Sequence, residues 1–124
     1  MGQIFRTDYP LYLQLVERIK KAIVSGMYGP GDRLPSIREM AVQLEVTPNT
    51  IQRALQILEN EEIIYTERTT GKFVTKDKEK LIALRRETLT ERIRSMIAEL
   101  KMHGYSKDEI MDSVRKELKA YDGE

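Results

Sequence analysis

Cysteine is absent from this chain, and histidine occurs once, at His103. The first absence excludes disulfides and thiolate metal sites, and the second excludes a histidine-rich metal site. His103 stands just ahead of Gly104, where it is placed to interact with the last carbonyls of a helix. No apolar run approaches the ~20 residues that a bilayer span requires, and no signal-peptide pattern is present. A cytoplasmic protein with no membrane partner is expected. There is no glycine-rich phosphate loop and no nucleophile–base pair, so neither enzymatic activity nor a cofactor is expected. A charge excess is missing too: 21 Lys and Arg stand against 20 Asp and Glu, and the balance stays even on both sides of Lys76 and Asp77. A surface for nucleic acid must therefore be a local patch.

What is present is helical amphipathicity. At 40% hydrophobic and 33% charged residues, the composition is that of a folded, helix-rich chain. Its 124 residues suit one small domain with an appendage. A first helix is predicted from about Pro10, a residue suited to the first helical turn. Tyr12, Leu15, Val16, Ile19, Ala22 and Ile23 recur on one face of it, and Gly26 stands at its C-cap position. The turn formers Tyr28-Gly29-Pro30-Gly31-Asp32 follow. Ser36 and Glu39 then form a capping box, opening a second helix that turns Ile37, Met40, Ala41 and Leu44 inward. Only Glu45 and Val46 separate it from the next cap, Thr47, with Pro48 at the first helical position. The third helix buries Ile51, Ala54, Leu55 and Leu58. Two short amphipathic helices on a tight turn outline a helix-turn-helix, although glycine is common in such turns and Glu45 is not glycine. Ile63-Ile64-Tyr65 and Phe73-Val74 are β-prone, with Thr69-Thr70-Gly71 between them, and read as a hairpin. A hairpin directly after a helix-turn-helix is a wing.

From about Lys78 a helix of about 25 residues, roughly 37 Å long, carries Ile82, Leu89, Ile93, Met96, Ile97 and Leu100 on one stripe. His103-Gly104 ends it. Ser106 and Glu109 form a second capping box, and the last helix carries Ile110, Met111, Val114, Leu118 and Tyr121 on one stripe. These stripes can form an intrachain core. However, two helices make a poor independent core, and a second copy of the chain is the simplest cover.

The third helix has a polar face, with Asn49, Gln52, Arg53 and Gln56 turned away from the buried set. Asn and Gln can bond bidentately to adenine, and Arg to guanine. Thr47 and Thr50 can donate hydroxyls to phosphate, as can the amides at the helix N-terminus. Arg38 is placed to reach the DNA backbone or an adjacent base. Arg68 and Lys72 in the wing can touch phosphate or the minor groove. The bland alternative is a solvated helix face. Arg85 and Arg86 either extend a basic surface or belong to a solvated face of the long helix.

Pro30-Gly31-Asp32-Arg33-Leu34-Pro35-Ser36, Arg38-Glu39-Met40-Ala41, Val46-Thr47-Pro48-Asn49-Thr50-Ile51 and Arg53-Ala54-Leu55 together resemble the GntR family of bacterial transcription regulators. The resemblance covers about residues 10–75. The Thr-Pro-Asn-Thr start of helix three and the short two-helix tail resemble its YtrA subfamily of dimeric regulators, which are often repressors. The resemblance implies DNA contacts at Arg38, at the start of helix three and in the wing, and dimerisation through the tail. Many members carry Arg where this chain has Pro48 and Gln52, and the wing commonly has two glycines around one residue. Here Thr69 replaces the first and Gly71 keeps the second.

The expected architecture is mainly α with a small β wing. A winged helix-turn-helix DNA-binding domain over residues 1–76 is followed by a two-helix dimerisation tail over 77–124. The expected function is a sequence-specific DNA-binding regulator, a repressor, acting as a homodimer on an inverted-repeat double-stranded operator. The alternative is a winged-helix protein-interaction module, which near-neutral charge favours. The tail is too small for a deep pocket of its own, so a small-molecule effector of such a dimer would sit at the interface between copies.

Overall fold

The computed structural model describes Phe5 and residues 7–122. Helix α1 (Leu11–Val24) begins after Pro10 and buries Leu15, Val16, Ile19 and Ile23. It ends in a Schellman motif. Gly26 takes φ +90°, its N–H bonds to the Ile23 carbonyl at 3.1 Å, and the Met27 N–H reaches the Ala22 carbonyl at 3.0 Å. Two of the helix's orphan carbonyls are thereby satisfied, at a backbone angle that favours glycine.

Helix α2 (Ile37–Leu44) opens on the expected capping box. The Glu39 N–H donates to Ser36 Oγ at 3.0 Å, and the Ser36 N–H donates to Glu39 Oε1 at 2.8 Å. Those two bonds hold the Glu39 carboxyl below the usual carboxylate range, first through the Ser36 backbone N–H. Glu45 then adopts the left-handed conformation at φ 56°, ψ 46°, the geometry in which glycine is common. Helix α3 (Pro48–Asn60) follows immediately, with Thr47 as N-cap and Ile51, Ala54, Leu55 and Leu58 buried.

Strands β1 (Ile64–Glu67) and β2 (Gly71–Val74) pair antiparallel, with Tyr65 opposite Phe73 and Thr66 opposite Lys72. The Tyr65 and Phe73 rings stack at 5.6 Å between centroids. The segment read from sequence as turn formers does more than turn. The Gly31 N–H donates to the Val74 carbonyl, the Val74 N–H to the Asp32 carbonyl and the Leu34 N–H to the Lys72 carbonyl, each at 2.9 Å. A short bridge, Arg33 to Phe73, thus covers the outer edge of β2. Side chains of α1, α2, α3 and both strands share one core, in which Leu15, Ile51, Leu55, Leu58, Ile64 and Val74 are fully buried.

Helix α4 (Lys78–Met102) is capped by Asp77, whose Oδ1 accepts from the Glu79 and Lys80 N–H groups. The chain divides into two compact units, Met1–Arg85 and Arg86–Glu124, so the first two turns of α4 belong with the winged domain. Leu84 is buried in that core and Leu81 packs against it. Arg85 Nη1 donates to the Val24 carbonyl at 2.6 Å. Arg85 is exposed on its helix face and also clasps the C-terminal turn of α1.

In the second unit, α4 ends at Met102 with Gly104 at φ +91°, and the Tyr105 N–H bonds to the Leu100 carbonyl at 3.2 Å. Ser106 and Glu109 form the second capping box, and α5 runs over Lys107–Asp122. The architecture is the expected one, mainly helical with a two-stranded wing. Among the described residues, no helix is long and apolar enough to cross a membrane.

Candidate nucleic-acid interface

The start of α3 is built by its cap. Thr47 Oγ1 accepts from the Thr50 N–H at 3.4 Å and lies 2.8 Å from Thr50 Oγ1. Pro48 at the first position has no N–H to leave unsatisfied. With Ile51, Ala54, Leu55 and Leu58 held inward, the helical repeat turns Asn49, Gln52, Arg53 and Gln56 outward, and all four are exposed.

Their partners differ. The Asn49 and Gln52 side chains make no hydrogen bond or ion pair with another described residue, so their amides are available to a ligand. Gln56 Nε2 donates to Asn60 Oδ1 at 3.0 Å, one turn along the same helix. The Arg53 guanidinium carbon lies 3.7 Å from the centre of the Tyr12 ring of α1. Such a stack uses the π face of the guanidinium and leaves its N–H edge in plane and able to donate. Tyr12, read from sequence only as part of the α1 core face, is thus a buttress under a candidate base-reading side chain. Arg38 on α2 is exposed, and its side chain has no partner among the described residues.

In the wing, Arg68 lies in the turn between the strands, exposed and without a side-chain partner among the described residues. Lys72 is engaged. Its ammonium lies 2.8 Å from Thr66 Oγ1 and 3.4 Å from Glu59 Oε1, and Thr66 Oγ1 donates to Glu59 Oε2 at 2.6 Å. The hydroxyl of Thr66 first, and the charge of Lys72 after it, hold the Glu59 carboxyl below the usual carboxylate range. This triangle latches the wing to the last turn of α3. No motif in the sequence marks Glu59, because its partners lie 7 and 13 residues away and meet it only once the hairpin register is set.

Gly71 takes φ +124°, a conformation that side chains rarely adopt, and a Cβ there would lie 3.3 Å from Arg33 Nε. The Arg33 side chain therefore lies across the wing at its glycine. The sequence names Arg33 only within the Pro30–Ser36 motif of the family resemblance and assigns it no contact. Among the described residues, no group of three or more His, Cys, Asp or Glu could hold a metal ion.

The tail residues singled out from sequence form open surface. Ile82, Leu89, Ile93, Met96 and Ile97 on α4, and Met111, Val114 and Leu118 on α5, are all exposed. Leu100 and Ile110 are half-buried. No residue of α5 is buried.

Comparison with known proteins accords with this geometry. The family model described as bacterial regulatory proteins, gntR family, matches residues 11–74, which span α1 through β2. The transcriptional repressor YtrA of Bacillus subtilis is 30% identical over 111 residues, covering 89% of this chain and 85% of that protein. The structure of a GntR family transcriptional regulator from Listeria monocytogenes superimposes with a TM-score of 0.83 at 43% identity, covering 90% of this chain and 98% of that one. The DNA-binding domain of AraR, solved in complex with its operator ORX1, matches 60% of this chain and 90% of its own at 28% identity and a TM-score of 0.54. With a winged helix-turn-helix that keeps the family's motifs and a polar α3 face open to solvent, the chain belongs to the gntR family of bacterial regulatory proteins, among its YtrA-like members, and is a DNA-binding transcription regulator.

Proposed function

We propose that the protein is a repressor that binds an inverted-repeat operator as a homodimer. The observation that carries this reading is the open polar face of α3, where the Asn49 and Gln52 amides and the N–H edge of Arg53 have no internal acceptor to serve. In the major groove, Asn49, Gln52 and Arg53 read base edges, with Gln56 at the far end of the same face. Thr47, Thr50 and Arg38 hold the phosphate backbone and fix the register. The wing, through Arg68 and the Gly71–Lys72 strand, follows the neighbouring backbone. The winged domain, to which the first two turns of α4 belong, forms the DNA-binding part and the rest of the tail the dimerisation part, acting in the cytoplasm.

Dimerisation through the tail is supported by the exposure of the stripe running from Ile82 to Leu100 and from Ile110 to Leu118. A stretch of exposed apolar side chains this long calls for a partner surface, and a second copy supplies the same stripe by two-fold symmetry. The two copies of α3 then sit on one face of the duplex, with half-site centres about 34–36 Å apart. Local cations, not the net charge of +1, drive binding, so affinity falls steeply as salt rises.

Selection from random duplexes, followed by titration at several salt concentrations, tests this reading. An inverted repeat with strongly salt-dependent binding is expected. Recovery of no inverted repeat, together with salt-insensitive binding, would overturn it in favour of the protein-interaction module.

A further inference from the structure

The charge on the wing is distributed differently from the way the residue types suggest. Lys72 stands in the strand, but its ammonium is already paired with Glu59 and bonded to Thr66. A cation neutralised inside the protein displaces few counterions from DNA, because it must give up one carboxylate to gain one phosphate. Arg68 is balanced in number by Glu67 beside it in the hairpin. On these residues alone the wing is close to electrically neutral, a poor surface for a polyanion.

Arg33 alters that balance. Its backbone bridges to Phe73 on the outer edge of β2. Its side chain then runs across Gly71, where Nε, Nη2 and Cζ all lie within 4 Å of the position a Cβ would take. The residue is exposed, and its guanidinium makes no hydrogen bond to another described residue. Arg33 acts weakly on Glu39, whose carboxylate is already committed to the Ser36 cap, and the carboxylate of the neighbouring Asp32 accepts from the Gly29 N–H. Two features therefore place an unspent guanidinium at the wing: an edge bridge that brings the Arg33 backbone alongside β2, and a glycine that leaves room for the guanidinium to lie against the strand.

We propose that Arg33, and not Lys72, joins Arg68 as a phosphate-binding cation at the wing, and that Gly71 serves the interface as the seat on which the Arg33 guanidinium rests beside the DNA backbone. Lys72 instead positions the wing through Glu59. A guanidinium suits this role because it offers a planar fork of donors to phosphate oxygens. The inference rests on the DNA-binding reading, and the wild-type protein serves as the control for that reading.

The test compares the wild type with Arg33→Met, Arg33→Lys and Lys72→Met. Each is titrated with the selected operator duplex and with a random duplex of equal length over a series of salt concentrations. Removing one phosphate contact from each subunit of a dimer lowers the slope of log K against log salt by about 2, since each contact contributes about 0.9. Arg33→Met is expected to show that fall on both duplexes alike, and Arg33→Lys to restore most of the slope. Lys72→Met is expected to keep the wild-type slope, whatever it does to affinity through the position of the wing. An unchanged slope in Arg33→Met, or a fall in Lys72→Met as large as that in Arg33→Met, overturns the proposal while leaving the DNA-binding reading intact. Salt-insensitive binding by the wild type overturns both. Thermal melts check that each variant is folded. Arg33→Gln, which keeps much of the stem and a polar head, gives the same readout should Arg33→Met fail to fold.

Discussion

Arg53 is the residue at which stability and sequence reading can be separated. Its guanidinium stacks 3.7 Å from the Tyr12 ring centre, and it projects from the face of α3 that meets solvent. An exposed cation–π stack contributes about 0.5–1 kcal/mol, whereas a bidentate Arg–guanine contact contributes about 1–3 kcal/mol of discrimination between bases. The two roles thus differ in size and in where they register. If Tyr12 only glues α3 to α1, Arg53→Ala costs stability and weakens operator and random DNA equally. If Tyr12 holds the side chain ready for a base, Arg53→Ala costs about 1–3 kcal/mol on the operator alone. In that case Tyr12→Leu, which removes the π face but keeps an apolar group at the site, costs the operator a further fraction by leaving the arginine to be ordered on binding. The second outcome is expected. A double-mutant cycle of Tyr12→Leu and Arg53→Ala, read by fluorescence anisotropy on operator and random duplexes, measures the coupling directly. Zero coupling on the operator, or equal losses for Arg53→Ala on the two duplexes, would refute the reasoning and leave Arg53 as a packing residue.

Three further outcomes follow from the same structure. Light scattering at micromolar concentration should give a dimer mass for the full chain and a monomer mass for a version ending at Arg85. The cut belongs there and not at Asp77, since the earlier cut would strip Leu84 and Leu81 from the core of the winged domain. Glu45→Gly should raise the melting temperature: a left-handed non-glycine residue costs about 1–2 kcal/mol, glycine's own backbone entropy returns about 0.5–1 of it, and an unchanged or lower melting point would contradict this balance. Glu59 has its carboxyl held below the usual range by Thr66 and Lys72. Its contribution to stability should therefore be fully present above the unfolded-state pKa and fade as pH falls through the lower folded-state one, so wild-type and Glu59→Gln melting curves should differ at neutral pH and converge as pH falls below the ordinary carboxylate range.

What could be read from the chain and what could not divide along a physical line. Every helix of the winged domain was legible because its signals are local. Ser36 with Glu39, Thr47 with Pro48, and Gly26 after an apolar stripe each act within one turn, and α2 and α3 begin, and α1 ends, where those residues stand. Arg85 is hard to interpret for the opposite reason, since its partner, the Val24 carbonyl, lies 61 positions away. It sits near the start of a helix whose stripe is read as facing a second copy, while Leu81 and Leu84 on another face return to the core of the winged domain. Helical spacing reveals that a face is apolar but not which surface covers it, so a helix whose first turns return to the domain core while its stripe stays open reads as one stripe with stray leucines. The interface shows the same limit more sharply. Residue type and helical spacing are enough to place Arg38, Asn49 and Gln52 on open surface, because nothing in the fold competes for them. They were not enough for Lys72, Arg53 and Arg33. The partners of these residues are Glu59, Tyr12 and Gly71, which lie 13, 41 and 38 positions away and come near only when the hairpin closes and α1 packs on α3. A cation's usefulness to DNA depends on whether an anion already holds it. That is a property of the folded pair and cannot be assigned from either residue alone.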